Sequence, residues 1–192
     1  MRSYRETDMI EDDVQRRYSA GAMFFHWIIA IAVIWNWRLA ENAEHAADRA
    51  EKMAIFADHK ALGITILVLT LARLAWRIVH PAPPMPAEMA AWEKALAKTT
   101  HVIFYVLLIG LPVGAWLANS MAGRDIDFFG LFTIPPLPVG ENGGLAETIF
   151  DIHGTAGGLM IWLIGLHILG ALKHTFFDKR GGLSRMLPFG KA

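Results

Sequence analysis

The sequence predicts an all-α fold, a four-helix transmembrane bundle, on three observations. The chain has 192 residues, of which 54% are hydrophobic, above the roughly 45–50% of soluble domains. Four apolar runs are each long enough to cross roughly 30 Å of hydrocarbon at 1.5 Å per residue. The connections between them leave no room for a separate soluble domain. The four runs are residues 22–40, 59–79, 100–120 and 152–174.

The first run, "AMFFHWIIAIAVIWNWRLA", follows a mixed-charge segment that contains "RETDMIEDDVQRRYS". That segment lacks the apolar stretch and small-residue cleavage site of a signal peptide, so we expect the first span to act as an uncleaved signal anchor. We expect three regions along the chain. They are an N-terminal cytoplasmic segment (1–20), a four-span domain (21–177) and a basic cytoplasmic tail (178–192).

The connections differ in composition. Residues 41–58 are charged and alanine-rich, which predicts a short helix or an ordered cap between spans 1 and 2. Residues 80–89 form a Pro-rich turn before span 3. Residues 121–151 are the longest connection, and the apolar "FFGLFTIPPLP" within it is broken by prolines. We therefore expect this stretch to lie against the membrane interface instead of crossing the bilayer.

Lysine and arginine are unevenly distributed, which predicts the orientation. They concentrate before span 1, between spans 2 and 3, and after span 4, whereas the long 3–4 connection has only Arg124. The positive-inside rule then places both termini in the cytoplasm, and in a bacterium the protein lies in the inner membrane. The zero formal net charge gives no indication of nucleic acid as a partner. The absence of cysteine excludes disulfides, iron–sulfur clusters and c-type haem attachment.

Six of the eight histidines lie within or at the ends of the predicted spans, where polar groups are costly and usually functional. His153 and His167 are 14 residues apart, which is roughly 21 Å along a helix and about 40° short of four full turns. They therefore face nearly the same side of span 4 at two membrane levels. Span direction places His59 at the level of His153 and His26 at the level of His167.

Two stacked metal centres, each held between two helices, explain this pattern. A pair of imidazoles without a carboxylate or cysteine suits zinc poorly, since zinc takes four ligands, but it matches the two axial ligands of a b-type haem. Gly63 and Gly157 follow His59 and His153 by one turn, and glycine lets a flat macrocycle approach the helix. The alternative is that these histidines only hydrogen-bond between helices.

Other polar residues near the cytoplasmic side allow two interpretations each. His101 and Tyr105 share a helix face at i and i+4, so they either line a quinone pocket or lie at the interface. His174 is an alternative ligand to His167. Arg73, the deepest arginine of span 2, either pairs with haem propionates or extends its charge to the membrane surface.

The sequence resembles the bacterial cytochrome b561 family of four-helix, di-haem membrane proteins. The resemblance rests on "RYSAGAMFFHW", "DHKALGITILVLTLARLAWR", "HVIFYVLLIGLPVGAW", "HGTAGGLMIWLIGLH" and "LSRMLP", and it covers roughly residues 16–188. It implies two haem b groups bound from spans 1, 2 and 4. The histidines at those positions are His26, His59, His153 and His167.

The resemblance also implies a function, with alternatives that the sequence leaves open. We expect electrons to pass from a periplasmic donor through the haems to ubiquinone or another membrane quinone. Some stand-alone members are superoxide oxidases, and related subunits anchor periplasmic dehydrogenases, so whether this chain is itself an enzyme is open. Acidic residues dominate the predicted periplasmic loops, with Lys60 as a local exception. An acidic face would repel superoxide and would suit a basic donor protein.

Overall fold

The computed structural model describes residues 17–178 and 182–189, and the predicted four-helix fold is confirmed. The N-terminal segment 1–16 and the basic residues Lys179, Arg180 and Lys191 of the predicted tail lie outside the described residues. All four helices are long and apolar enough to span a membrane. The elements are α1 (Ala20–Glu44), α2 (Arg49–Val79), α3 (Ala91–Met121), β1 (Ile126–Phe128), β2 (Phe132–Ile134), α4 (Gly143–Phe176) and a 3₁₀ turn (Ser184–Met186).

Side-chain caps set where three of the helices begin. The side chains of Ser19, Asp48 and Asn142 accept hydrogen bonds from backbone N–H groups in the first turns of α1, α2 and α4. The helices extend beyond the apolar runs, so residues 41–58 form no separate helix. They complete α1 and begin α2, with a short turn between them, because this alanine-rich stretch favours helix and Asp48 caps its second half.

A two-stranded hairpin interrupts the otherwise helical chain, and the sequence did not predict it. β1 and β2 pair antiparallel, with Ile126 opposite Ile134. Ile126 is buried and β1 packs against α2, which fixes the hairpin to the bundle. Phe129 and Gly130 turn the chain with positive φ angles of 53° and 70°. We call this end of the bundle the hairpin end. We call the opposite end, which contains the described termini, the terminal end.

The helices pack as two pairs, α1 with α2 and α3 with α4, and α2 also contacts α3. The shared core is small and centres on Ile29, Val33 and Ile66. Met160 and Ile164 of α4 pack against this core, but α4 has little backbone contact with α1 and α2. Many large apolar side chains, such as Trp162 at 78% exposure, face outward, as expected of helices that contact lipid. The space between α4 and the α1–α2 pair contains the histidines.

The described tail closes the terminal end of the bundle. Arg185 is buried, and its guanidinium donates to the carbonyl of Pro84 in the connection between α2 and α3. The indole of Trp27 on α1 donates to the carbonyl of Met186 at 2.8 Å. Residues 182–189 thus hold α1 and the α2–α3 connection together next to His26, the neighbour of Trp27 on α1.

Candidate metal centres

The structure brings the four predicted ligand histidines together in two pairs. The ring centroids of His59 and His153 lie 6.1 Å apart, with their planes at 82°. Those of His26 and His167 lie 6.3 Å apart, with their planes at 71°. We call these the hairpin-end pair and the terminal-end pair. The single helix α4 supplies one ring to each pair because its 14-residue spacing returns the side chains to one face.

The ring separations match a metal ion bound between two opposed imidazoles. A metal–imidazole nitrogen bond is about 2.0–2.1 Å long and the ring centre lies about 1.2 Å beyond the nitrogen, so opposed rings are about 6.4 Å apart. Rings in direct aromatic contact also occur at such distances. The distance alone therefore does not separate a metal-binding pair of rings from a simple aromatic contact. The hydrogen bonds of the ring nitrogens separate these two cases.

In the hairpin-end pair, the second nitrogen of each ring is already bound. Nδ1 of His59 donates to the carbonyl of Asn36 at 3.0 Å, and Nδ1 of His153 donates to the carbonyl of Leu111 at 3.1 Å. Because a carbonyl only accepts, each ring carries its proton on Nδ1 and keeps a free lone pair on Nε2. This is the usual arrangement of a metal-bound histidine, whose other N–H is held by a carbonyl or carboxylate.

The terminal-end pair has a different environment. Nη1 of Arg73 lies 3.1 Å from Nδ1 of His26 and donates to it. The ring of His167 faces two imidazoles, since His101 lies 5.9 Å from it, and Phe104 packs against it at 5.4 Å. His101 is therefore a second possible partner for His167, which the sequence analysis did not consider. The predicted alternative His174 instead binds the carboxylate of Asp178 at 2.6 Å.

The space beside the rings suits a flat macrocycle. A Cβ added at Gly157 would meet nothing within 4 Å, and one added at Gly63 would meet only the Asn36 side chain at 3.7 Å. Within the described chain, four buried polar atoms lack a hydrogen-bond partner, and such atoms commonly mark a missing ligand or water. They are Asn36 Oδ1, Thr70 Oγ1, Tyr105 OH and Trp116 Nε1. The space at the hairpin-end pair therefore fits a haem group. At the terminal-end pair, the hydrogen bond from Arg73 leaves the proton of a neutral His26 on Nε2, so this bond must break before Nε2 could bind iron.

A separate polar cluster lies at the terminal end, outside the two pairs. Glu93, His174 and Asp178 bring possible ligand atoms within 4.8 Å of one another. The ammonium of Lys173 already bridges the two carboxylates, at 2.8 Å from Glu93 and 2.9 Å from Asp178. Lys173 and His174 both hydrogen-bond to Asp178, which holds the pKa of that carboxyl below its usual range. A lysine in the centre makes this cluster an ion-pair network instead of a metal site.

Sequence reasoning did not identify the carbonyls of Asn36 and Leu111, because any residue supplies a carbonyl. Pro112 inside α3 gave no signal either, because the helical N–H that it lacks would bond the carbonyl of Leu108, four residues earlier, and not that of Leu111. The contact between Arg73 and His26 was equally hidden, since it joins residues 47 positions apart.

Comparison with known proteins places these features in a family. The family model described as "Prokaryotic cytochrome b561" matches residues 17–189. The probable superoxide oxidase CybB of Yersinia pestis is 30% identical over 175 residues, covering 91% of this chain and 98% of that protein. Cytochrome b561 homolog 2 of Escherichia coli (strain K12) is 28% identical over 181 residues, covering 89% and 91%. Homolog 1 of the same organism is 25% identical over 173 residues, covering 90% and 97%.

Proposed function

Because the chain belongs to the prokaryotic cytochrome b561 family, we propose that it passes electrons across the membrane through two haem b groups to a quinone. The family makes it a haem b protein of membrane electron transfer in a bacterial membrane. The number of haems, the donor, the quinone and the orientation are our proposals. The observation that carries the proposal is the pair of opposed imidazoles at each end of one helix face, with centroids 6.1 and 6.3 Å apart.

In this proposal, the hairpin-end pair binds one haem and the terminal-end pair binds the other. Bound haem supplies the one-electron chemistry, and the chain sets its ligands and surroundings. Nε2 of His59 and Nε2 of His153 are free to bind iron, because backbone carbonyls accept the Nδ1 protons of both rings. Gly63 and Gly157 leave room for the macrocycle, and the two histidines of each pair would hold the iron of a haem from both sides.

At the terminal end, we assign His101 and Tyr105 to quinone contact. The His101 ring lies 5.9 Å from His167, close to the proposed haem, so an acceptor beside it would be close enough for electron transfer. The buried hydroxyl of Tyr105, one turn away on the same helix, lacks a partner among the described residues and can hydrogen-bond a quinone oxygen. Arg73, which lies beside His26, would pair with a haem propionate once the haem is bound.

The proposed orientation puts the terminal end in the cytoplasm and the hairpin end in the periplasm of an inner membrane. Arg73, Arg77 and Arg185 lie at the terminal end, where the positive-inside rule places cytoplasmic charge. Carboxylates prevail at the hairpin end and are exposed there, including Asp58, Asp125, Asp127, Glu141 and Glu147. An electron would thus enter from the periplasmic side and leave to quinone near the cytoplasmic side.

A reduced-minus-oxidised spectrum with haem quantification tests this function directly. The purified protein should show the bands of bis-histidine haem b and bind two haems per chain. A one-electron donor should then reduce a ubiquinone analogue, and the haems should be reduced before the quinone. A preparation that lacks a Soret band, or that saturates with a single haem, would refute the di-haem proposal.

Superoxide is a second candidate for the donor. One relative is named a probable superoxide oxidase, and it aligns with 91% of this chain. Lys60, beside His59, lies in a mixed environment with Arg124, Asp125 and Asp127, so the positive charge there is local and partly compensated. A third possibility is that the chain anchors a periplasmic dehydrogenase. Purified protein that reduces quinone rapidly with superoxide alone would favour the oxidase over both other functions.

A further inference from the structure

The two histidine pairs differ in the charge that lies next to their rings. At the hairpin-end pair, the Nδ1 atoms of His59 and His153 contact neutral backbone carbonyls. At the terminal-end pair, the guanidinium of Arg73 contacts Nδ1 of His26 at 3.1 Å. A full positive charge therefore lies at hydrogen-bond distance from one proposed ligand at the terminal end, whereas the hydrogen-bond partners of both rings at the hairpin end are neutral.

The wider surroundings increase this difference. Arg77 lies one turn beyond Arg73 on α2, and both arginines line the same small cavity at the terminal end. At the hairpin end, Lys60 lies next to His59, but Arg124, Asp125 and Asp127 lie near Lys60, so two cations face two carboxylates there. The net positive field is thus greater at the terminal-end pair.

Building on the proposed di-haem function, we propose that Arg73 is a positioning residue whose charge raises the reduction potential of the haem at His26 and His167 above that of the other haem. Reduction adds an electron, and a nearby cation stabilises the reduced form, most strongly in a low-dielectric interior. This difference makes electron transfer favourable from the hairpin end toward the terminal end. Arg73 thereby sets the direction of transfer that the proposed quinone position requires.

The proposal depends on the charge of Arg73 and not on its present hydrogen bond. A neutral His26 that ligates iron through Nε2 carries its proton on Nδ1, and a guanidinium cannot donate to an N–H group. Arg73 must then turn away, toward an acceptor such as a haem carboxylate, while its backbone stays fixed on α2. In either arrangement, loss of its charge makes the surroundings of the haem less positive and lowers its potential.

A spectroelectrochemical redox titration of the purified holoprotein tests this inference. His59→Ala retains only the terminal-end haem and so assigns its spectrum and potential. In Arg73→Gln, the reduced-to-oxidised ratio of that haem at a fixed potential should fall about tenfold, equivalent to a shift of 59 mV for one electron. Arg73→Lys should stay within about threefold of the wild type. The hairpin-end haem should be unchanged in both variants.

Matched controls separate charge from structure. Arg38→Gln removes an arginine of α1 that lies toward the hairpin end, and this change should leave the terminal-end haem unaffected. An unchanged ratio in Arg73→Gln with both haems bound would overturn the inference, and so would a Lys variant as low as the Gln variant. Arg73→Met provides a second neutral variant. Arg73→Gln and Arg73→Met could both lose the terminal-end haem while Arg73→Lys retains it. Arg73 would then be needed to bind the haem and not to set its reduction potential, which also contradicts the proposal.

The inference and the proposed function can fail separately. A protein that binds no haem or reduces no quinone refutes the function. A protein that binds two haems and reduces quinone, but whose terminal-end haem ignores the charge at position 73, refutes only the inference.

Discussion

His59 and His153 face each other across the space between α2 and α4, and each ring gives its Nδ1 proton to a backbone carbonyl of a different helix. Four helices therefore take part in one site, since α1 and α3 supply the carbonyls that orient the rings of α2 and α4. Ligand orientation of this kind contributes about 10–100-fold to metal affinity. The bundle itself thus orients the rings of His59 and His153, without the help of a cofactor.

Replacing one histidine of a pair should remove one haem and spare the other. We expect His59→Ala or His153→Ala to abolish the hairpin-end haem, because each substitution removes one of the two histidines that would hold this haem between α2 and α4. His26→Ala or His167→Ala should abolish the terminal-end haem. Haem-to-protein ratios measured on purified variants check this. His45→Ala, at the end of α1 and away from both pairs, is the matched control and should retain both haems.

His101 should act in quinone reduction and not in haem binding. We expect His101→Ala to retain both haems and to reduce a ubiquinone analogue at least about tenfold more slowly, because its ring lies at the proposed exit for electrons. Stopped-flow quinone reduction measures this. If His101→Ala lost the terminal-end haem while His26→Ala kept it, His101 would be the ligand of His167. Normal quinone kinetics would exclude His101 from the quinone site.

The sequence predicted the histidine pairs because a rigid helix converts residue spacing into direction and depth. The helical period alone predicted that His153 and His167 share one face of α4. The direction of each span predicted the membrane depth of His59 and His26. The hairpin escaped prediction because strands of three residues have no period to detect, and their stability depends on the burial of Ile126 against α2. Likewise, the contact of Trp27 with Met186 depends on how the tail folds back.

Gly157 should be needed for haem binding and not for folding. A Cβ there would meet no protein atom within 4 Å, so Gly157→Val should leave the bundle assembled while its side chain enters the space beside His153. We expect normal yield and helicity with loss of the hairpin-end haem. Gly165→Val is the matched control, because Gly165 is equally open but lies about 120° around α4 from His153. Equal haem loss in both variants would show that the space beside His153 has no special role in haem binding.

Glycine at position 21 has a different role, which gives an opposite outcome. A Cβ at Gly21 would clash with the Trp76 side chain, whose indole also donates to Ser19. Gly21→Val should therefore separate α1 from α2 and lower the thermal midpoint of the detergent-solubilised protein, whatever the haem content. An unchanged midpoint would show that Trp76 relocates freely.

The ion-pair network around Asp178 should make a small, pH-dependent contribution to stability. Lys173 and His174 lower the pKa of this carboxyl in the folded state. Its contribution is therefore present above the unfolded pKa of about 3.9 and is lost as the pH falls through the lower folded value. Asp178→Asn should lower the thermal midpoint slightly at pH 7 and by less at pH 3. A constant difference across this range would exclude the ion pairs as its cause.

The salt dependence of superoxide oxidation separates the two candidate donors. Exposed carboxylates surround the hairpin end, including Asp58, Asp125, Asp127, Glu141 and Glu147, so an approaching anion meets net repulsion. Salt screens exposed charges beyond roughly 10 Å at 0.1 M. With superoxide as donor, we therefore expect the rate of haem reduction to stay flat or rise as salt is added, and to rise in Asp127→Asn. A fast rate that falls steeply with salt, and that Lys60→Gln abolishes, would show that the local charge of Lys60 outweighs the carboxylates. Superoxide oxidation would then become the leading function.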